Sequence, residues 1–177
     1  MFGLENLKID LLGMKGDSFE YSCVLSDEYF QSLDDAEINS GEVNTVLSIR
    51  KAATGGFALK LAVEGNVTVQ CDLCLDDMLQ PVKGESSFVV KLGDEVQEAD
   101  DDVIVVSEKD GLLDTSWLIY ETIALAIPIK HVHAPGKCND AMTKKLEELS
   151  ATRSGDGVAE DEIDSRWAEL LKLKNKK

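Results

Sequence analysis

Val43, Thr45, Leu47 and Ile49 alternate with Asn44, Ser48 and Arg50, the period of a β-strand with one side in a core. Only Val46 interrupts the polar side. "ATGG" then supplies a turn, and Phe57, Leu59, Leu61 and Val63 repeat the alternation, which Val67, Val69 and Cys71 continue past "EGN". The spacing predicts two long antiparallel strands, the second bent or split near Gly65. Cys71 falls on the apolar side at a strand end.

That apolar side needs a cover, and residues 110–128, "DGLLDTSWLIYETIALAIP", supply one. Trp117, Tyr120, Ile123, Ala124 and Ile127 recur at helical spacing, Asp114 or Thr115 can cap the start, and Pro128 ends it. The segment is apolar almost all round, as a helix packed on a sheet is. Upstream, the runs Leu4–Leu12 and Phe19–Leu25, separated by "GMKGDS", predict two strands joined by a turn. Cys23 in the second run reads as a small buried side chain. Ser26, followed by Asp27 and Glu28, is the expected N-cap of a short helix. Further strands are expected over Phe88–Leu92 and residues 103–106, and a helix after Cys138 capped by Asn139 or Asp140. The predicted fold is α+β: an antiparallel β-sheet with a packed central helix and a short C-terminal helix.

Three regions are expected: an α+β core domain over 1–149, an acidic flexible linker over 150–164, and an amphipathic helix with a basic tail over 165–177. The linker is rich in Gly and acid and lacks an apolar period. In the terminal segment Trp167, Leu170 and Leu171 recur at helical spacing, and Lys172 and Lys174 follow. These five residues are the expected partner-binding surface. Partner chemistry follows from charge: 34 acidic against 18 basic residues give a net charge of −16. Such a chain is repelled by naked phosphate backbones and attracted to cationic proteins. The densest acidic run, between Gly93 and Val103, lacks EF-hand spacing and reads as a solvated loop that can attract a basic partner. The amino terminus carries Glu5 and Asp10 and does not read as a secretory signal, and no window is apolar enough to span a membrane. The expected location is the cytoplasm, where four cysteines in a chain of this size point to free thiols or a metal.

Cys71 and Cys74 form a Cys-x-x-Cys pair, and "IPIKHVHAPGKCN" offers His131, His133 and Cys138. Zinc takes four thiolate or imidazole ligands, commonly as two close pairs brought together by the fold. Cys71 with Cys74 makes one pair and His133 with Cys138 the other. Residue types alone leave a second reading open, in which Cys71 is core, Cys74 is incidental, and His133 and Cys138 sit in a loop after Pro128. A redox role is disfavoured, because Asp72, Asp76 and Asp77 crowd the pair with carboxylates that oppose thiolate formation. The chain has no Gly-rich phosphate loop, no Gly-x-Ser-x-Gly elbow and no His-Glu-x-x-His. With two histidines in all, general acid–base catalysis has few candidates, and the expectation is that the protein is not an enzyme.

"VTVQCDLCL", an acidic stretch, "DTSWLIYETIALAIPIKHVHAPGKCN" and a terminal "RWAELLKLK" follow one another in that order. The order resembles the YceD family of large ribosomal RNA subunit accumulation proteins over roughly residues 40–177. The resemblance implies a non-catalytic, cytosolic factor that supports accumulation of 23S ribosomal RNA and synthesis of the large ribosomal subunit. Its partners would be basic ribosomal or ribosome-assembly proteins, with ribosomal RNA contact indirect or through the tail. It also aligns the family's cysteine pair with Cys71 and Cys74, its helix acid with Glu121, its proline with Pro128, and its later histidine and cysteine with His133 and Cys138. These positions fit a structural zinc. One departure is Leu73, where relatives usually carry arginine. Two other readings stand beside this one: a zinc-stabilised adaptor without a ribosomal role, and a thiol-dependent enzyme.

Overall fold

The computed structural model describes residues 4–33, 38, 40–53, 55–93 and 102–149. After a 3-10 turn at Leu4–Leu7 come β1 (Lys8–Asp10), β2 (Ser18–Leu25), α1 (Asp27–Ser32), β3 (Ser40–Lys51), β4 (Phe57–Gln70) and β5 (Asp77–Leu92). β6 (Val103–Val106), β7 (Leu112–Asp114), α2 (Ser116–Leu125) and α3 (Asp140–Leu149) complete the order. The fold is α+β, as expected. β2 to β6 form a five-stranded sheet in sequence order, antiparallel except for the last pair, where β6 lies parallel to β5.

β4 is one strand and is not split. Gly65 pairs with Val43 of β3 on one side and Val82 of β5 on the other. A Cβ on Gly65 would collide with the Glu42 carbonyl oxygen and lie 2.7 Å from the Val43 Cα. Glycine is therefore needed for close approach of the neighbouring backbone, not for a bend. The apolar residues of the alternation are buried as predicted: Val43, Leu47 and Ile49 on β3, and Leu59, Leu61, Val63, Val67 and Val69 on β4. The opposite side of the sheet stays open to solvent, with Val24, Val46, Leu79 and Val89 exposed, a common arrangement for antiparallel sheets.

Two expected features differ. The strands over Leu4–Leu12 and Phe19–Leu25 exist, but they do not pair with each other. β1 pairs with β7 (Ile9 opposite Leu113), and β2 pairs with β3 along its whole length (Ser18 opposite Arg50 to Leu25 opposite Val43). The Leu11 amide donates to the Gly111 carbonyl at 2.8 Å and the Thr115 hydroxyl to the Leu7 carbonyl at 2.7 Å. These bonds hold the first strand beside the entry to α2. The strand expected at Phe88–Leu92 also begins eleven residues earlier, at Asp77, and so forms a hairpin with β4.

α2 lies on the buried side of the sheet, with Ile119, Tyr120 and Ile123 in the core. Gly84 sits beneath it: a Cβ there would be 3.1 Å from both the Thr122 carbonyl oxygen and the Ala126 Cβ. Capping falls to Asp114, whose Oδ1 accepts from the Ser116 amide at 3.0 Å, while the Thr115 side chain is engaged with Leu7. Trp117, expected among the packed residues, is half exposed and stacks on Tyr120 with centroids 5.2 Å apart. α1 closes one end of the core with Tyr29 and Phe30 buried edge to face, and the Tyr29 hydroxyl donates to the Ser116 carbonyl at 2.7 Å. Ser26 precedes α1 but makes no side-chain cap. The Asp27 carboxylate instead accepts from the Gly41 amide at 2.9 Å.

The chain divides into two compact units, Met1–Thr143 and Lys144–Lys177. The first holds both sheets, α1 and α2. Of the second, residues 144–149 are described, as the end of α3. The linker expected over 150–164 and the terminal helix with Trp167, Leu170, Leu171, Lys172 and Lys174 lie outside the described residues, as do residues 94–101 of the acidic run. None of the described helices is long and apolar enough to cross a membrane.

The close approach at Gly65 makes a direct prediction. Gly65→Ala forces β3 and β4 apart at a fully paired position and is expected to cost about 2 kcal/mol, read as a lowered urea midpoint. A midpoint equal to the parent's would mean that β3 and β4 tolerate a wider spacing at this point.

Candidate metal centre

β4 ends at Gln70 and β5 begins at Asp77, so residues 71–76, "CDLCLD", are the turn of the β4–β5 hairpin. Their conformation is set by main-chain bonds: the Cys71 amide donates to the Asp76 carbonyl at 2.9 Å, and the Leu75 amide to the Cys71 carbonyl at 2.9 Å. This fold of the turn buries both thiols, Cys71 at the end of the apolar alternation and Cys74 three residues on. It also places Leu75 at φ 61°, the left-handed region, with its side chain largely exposed. For an L-residue that conformation costs roughly 1–2 kcal/mol.

The second half of the site comes from the segment after α2. The two halves are joined by reciprocal bonds between Asp72 and His131. The Asp72 amide donates to the His131 carbonyl at 3.0 Å, and the His131 amide donates to Asp72 Oδ2 at 2.7 Å. The His131 ring is held in turn: its Nδ1–H donates to the Pro128 carbonyl at 3.0 Å, and its Nε2 stands 3.6 Å from Asp72 Oδ1. His131 therefore braces the site rather than entering it. Asn139 adds a further link. Its Nδ2 donates to Asp76 Oδ2 at 3.2 Å while its Oδ1 caps α3 by accepting from the Ala141 amide at 3.0 Å.

Within this frame the ligand atoms of Cys71, Cys74, His133 and Cys138 all lie within 4.8 Å of one another and could hold a metal ion. The closest pairs are Cys74 Sγ with His133 Nδ1 at 3.3 Å, Cys71 Sγ with Cys138 Sγ at 3.9 Å, and Cys138 Sγ with His133 Nδ1 at 4.0 Å. All four cysteines of the chain are free thiols. The fold thus brings together the four residues selected from their types and spacing. Cys23, by contrast, is half-buried on β2, where burial pushes its thiol up. Glu121 is exposed on α2, outside the group.

The electrostatics of the cluster differ from the expectation that nearby carboxylates oppose a thiolate. Burial pushes the Cys71 thiol up, but the backbone N–H groups of Cys74, His133 and Leu73 and the His133 side chain outweigh it and bring it down to about 6. Asp72 does not oppose them, because its carboxylate is turned onto His131. Burial, together with the neighbouring Cys71 and Cys74 sulfurs, pushes Cys138 up to about 11. Cys71 is fully buried, which keeps its sulfur from acting as an accessible nucleophile.

Sequence reading missed two contributors. Asp72 and Asn139, the braces of the site, carry no motif and are recognised only once the turn and the loop face each other.

Compared with known proteins, residues 59–174 match the family model described as "Large ribosomal RNA subunit accumulation protein YceD". No curated protein and no solved structure matches. The matched span covers well over half of the chain and contains all four clustered residues.

Replacing Cys71 and Cys74 together by serine is expected to remove bound metal and to lower the melting temperature, measured by plasma emission on the purified protein and by thermal unfolding. If both quantities match the parent's, the cluster is not a metal centre.

Proposed function

Because this chain belongs to the YceD family, we propose that it supports accumulation of 23S ribosomal RNA and synthesis of the large ribosomal subunit, without catalysing a reaction itself. The observation that carries this reading is the family match over residues 59–174, which takes in the hairpin, α2 and the whole ligand cluster. We propose further that the ion held there is a structural zinc. A zinc tetrahedron with Zn–S near 2.3 Å and Zn–N near 2.05 Å has sulfur–sulfur edges of about 3.8 Å and sulfur–nitrogen edges of about 3.6 Å. The edges of 3.9, 3.3 and 4.0 Å in this chain support that fit. Four protein donors leave no open position for substrate or water, the pattern of structural rather than catalytic zinc. The ion would act as a cross-link between the hairpin turn and the segment after α2.

The partners we propose are basic ribosomal or ribosome-assembly proteins. A net charge of −16 attracts them and disfavours direct binding of the body to RNA. Any RNA contact would fall to the tail, where Lys172 and Lys174 follow Trp167, Leu170 and Leu171. A cytoplasmic location accords with free cysteines and an intracellular partner. We propose the division into a core over 1–149, a linker over 150–164 and a terminal helix over 165–177 on composition.

Two measurements test the reading. Zinc binding must displace the proton of Cys138, whose thiol is protonated at neutral pH. The sign follows: apparent affinity rises with pH, by at least about tenfold per unit between pH 6.5 and 8, measured by competition with a chromophoric chelator. A pH-independent affinity would mean that Cys138 is not a ligand. Depleting the protein in its native cell is expected to lower large-subunit relative to small-subunit ribosomal RNA. An unchanged ratio would remove the ribosomal role and leave a zinc-stabilised adaptor.

A further inference from the structure

Three of the chain's four cysteines meet in the metal cluster, and they are not equivalent. Cys71 and Cys138 bring their sulfurs to 3.9 Å. Cys74 Sγ is instead engaged with His133 Nδ1 at 3.3 Å. Exposure divides the closest sulfur pair: Cys71 is fully buried, whereas Cys138 is half-buried. Closing that pair to a disulfide of about 2.05 Å needs a relative sulfur movement of about 2 Å. Cys138 stands on irregular backbone between α2 and α3, where no strand ladder fixes it.

The two disulfides open to Cys71 differ in what they join. A bond to Cys74 would tie the hairpin turn to itself. A bond to Cys138 would tie the turn to the segment after α2, the same two segments that an ion in the cluster joins.

Resting on the reading that the four residues hold zinc, we infer that the cluster is a peroxide-responsive switch in which oxidation joins Cys71 to Cys138 and releases the ion. Hydrogen peroxide meets Cys138, the more exposed sulfur of the pair. A bond forms from Cys138 Sγ to one peroxide oxygen, the O–O bond breaks and hydroxide leaves, giving a sulfenic acid. Cys71 Sγ then attacks Cys138 Sγ. The S–S bond forms, the S–O bond breaks and a second hydroxide leaves. Both hydroxides take protons from solvent, in place of those the sulfurs gave up on binding the ion. The two sulfurs are oxidised by two electrons in all, which reduce one peroxide to two waters. Burial of Cys71 suits this order, because its sulfur is shielded from the oxidant and needs to reach only its neighbour. Cys74 and His133 are then the remaining donors, too few for a zinc site that takes four. A thiol reductant reverses the step by exchange, taking the disulfide onto itself and returning both thiols.

The test treats the full chain, loaded with zinc, with hydrogen peroxide. A chromophoric chelator reports released zinc, free thiols are counted, and disulfides are mapped by peptide mass. Zinc is expected to leave as two of the four thiols disappear, with the new bond mapping to Cys71 and Cys138 and with Cys23 and Cys74 still open to alkylation. Dithiothreitol followed by zinc restores the parental metal content. The oxidised chain melts above the same chain reduced and stripped of zinc, because the disulfide still joins the turn to the segment after α2. Cys23→Ser, outside the cluster, changes none of these results. A Cys71–Cys74 bond, zinc retained under peroxide, or release without any disulfide would each overturn the inference and leave the structural-zinc reading standing. A chain that takes up no zinc discards both.

Discussion

The pairing of β4 with β5, continuous from Phe57 opposite Val90 to Gln70 opposite Asp77, is the constraint on which the rest of the structure depends. It fixes the length of the hairpin, and the hairpin length fixes where the turn falls. Cys71 and Cys74 sit in that turn because the strands end there. The same pairing places Gly84 under α2, so the helix approaches the sheet closely and its continuation reaches the turn. A one-residue slip would turn the apolar side of β5 to solvent and move the cysteines away from His133 and Cys138.

The central strands were legible because their alternation is nearly complete, and the covering helix because its apolar content and the following proline leave little choice. β5 was legible only at its end. Its first half holds Pro81, Gly84 and a polar series through Ser87: burial alternates residue by residue, but Gln80, Gly84 and Ser86 stand on the half-buried side, so the sequence shows no apolar period there. Pro81 is tolerated because β6 joins β5 only from Val89 onward, leaving the earlier part an edge. The pairing of β1 with β7 was hidden for a different reason: three-residue strands far apart in sequence carry no local sign of their partner.

The four clustered residues were legible from residue type and spacing, strengthened by the resemblance to a family. Their electrostatics were not. Nearby aspartates suggested a site hostile to thiolates, whereas the folded turn directs amide N–H groups inward and ties Asp72 to His131. Main-chain dipoles at contact distance outweigh carboxylates that point elsewhere, and only coordinates reveal where each group points. The left-handed Leu75 was equally invisible, because nothing in "CLDD" marks leucine as the residue that turns the chain.

The two ligand pairs lie 59 to 67 residues apart in sequence, and the intervening chain contains β5, β6, β7 and α2. The cluster is therefore a long-range contact that forms only where the turn and the segment after α2 meet. An ion held by all four residues would require that the hairpin turn and the segment after the helix have met. Such an ion would close a loop across the 59 to 67 residues between its two pairs of donors, so that its loss from the reduced chain would release the turn and the post-helix segment from each other at a point where hydrogen bonds alone join them.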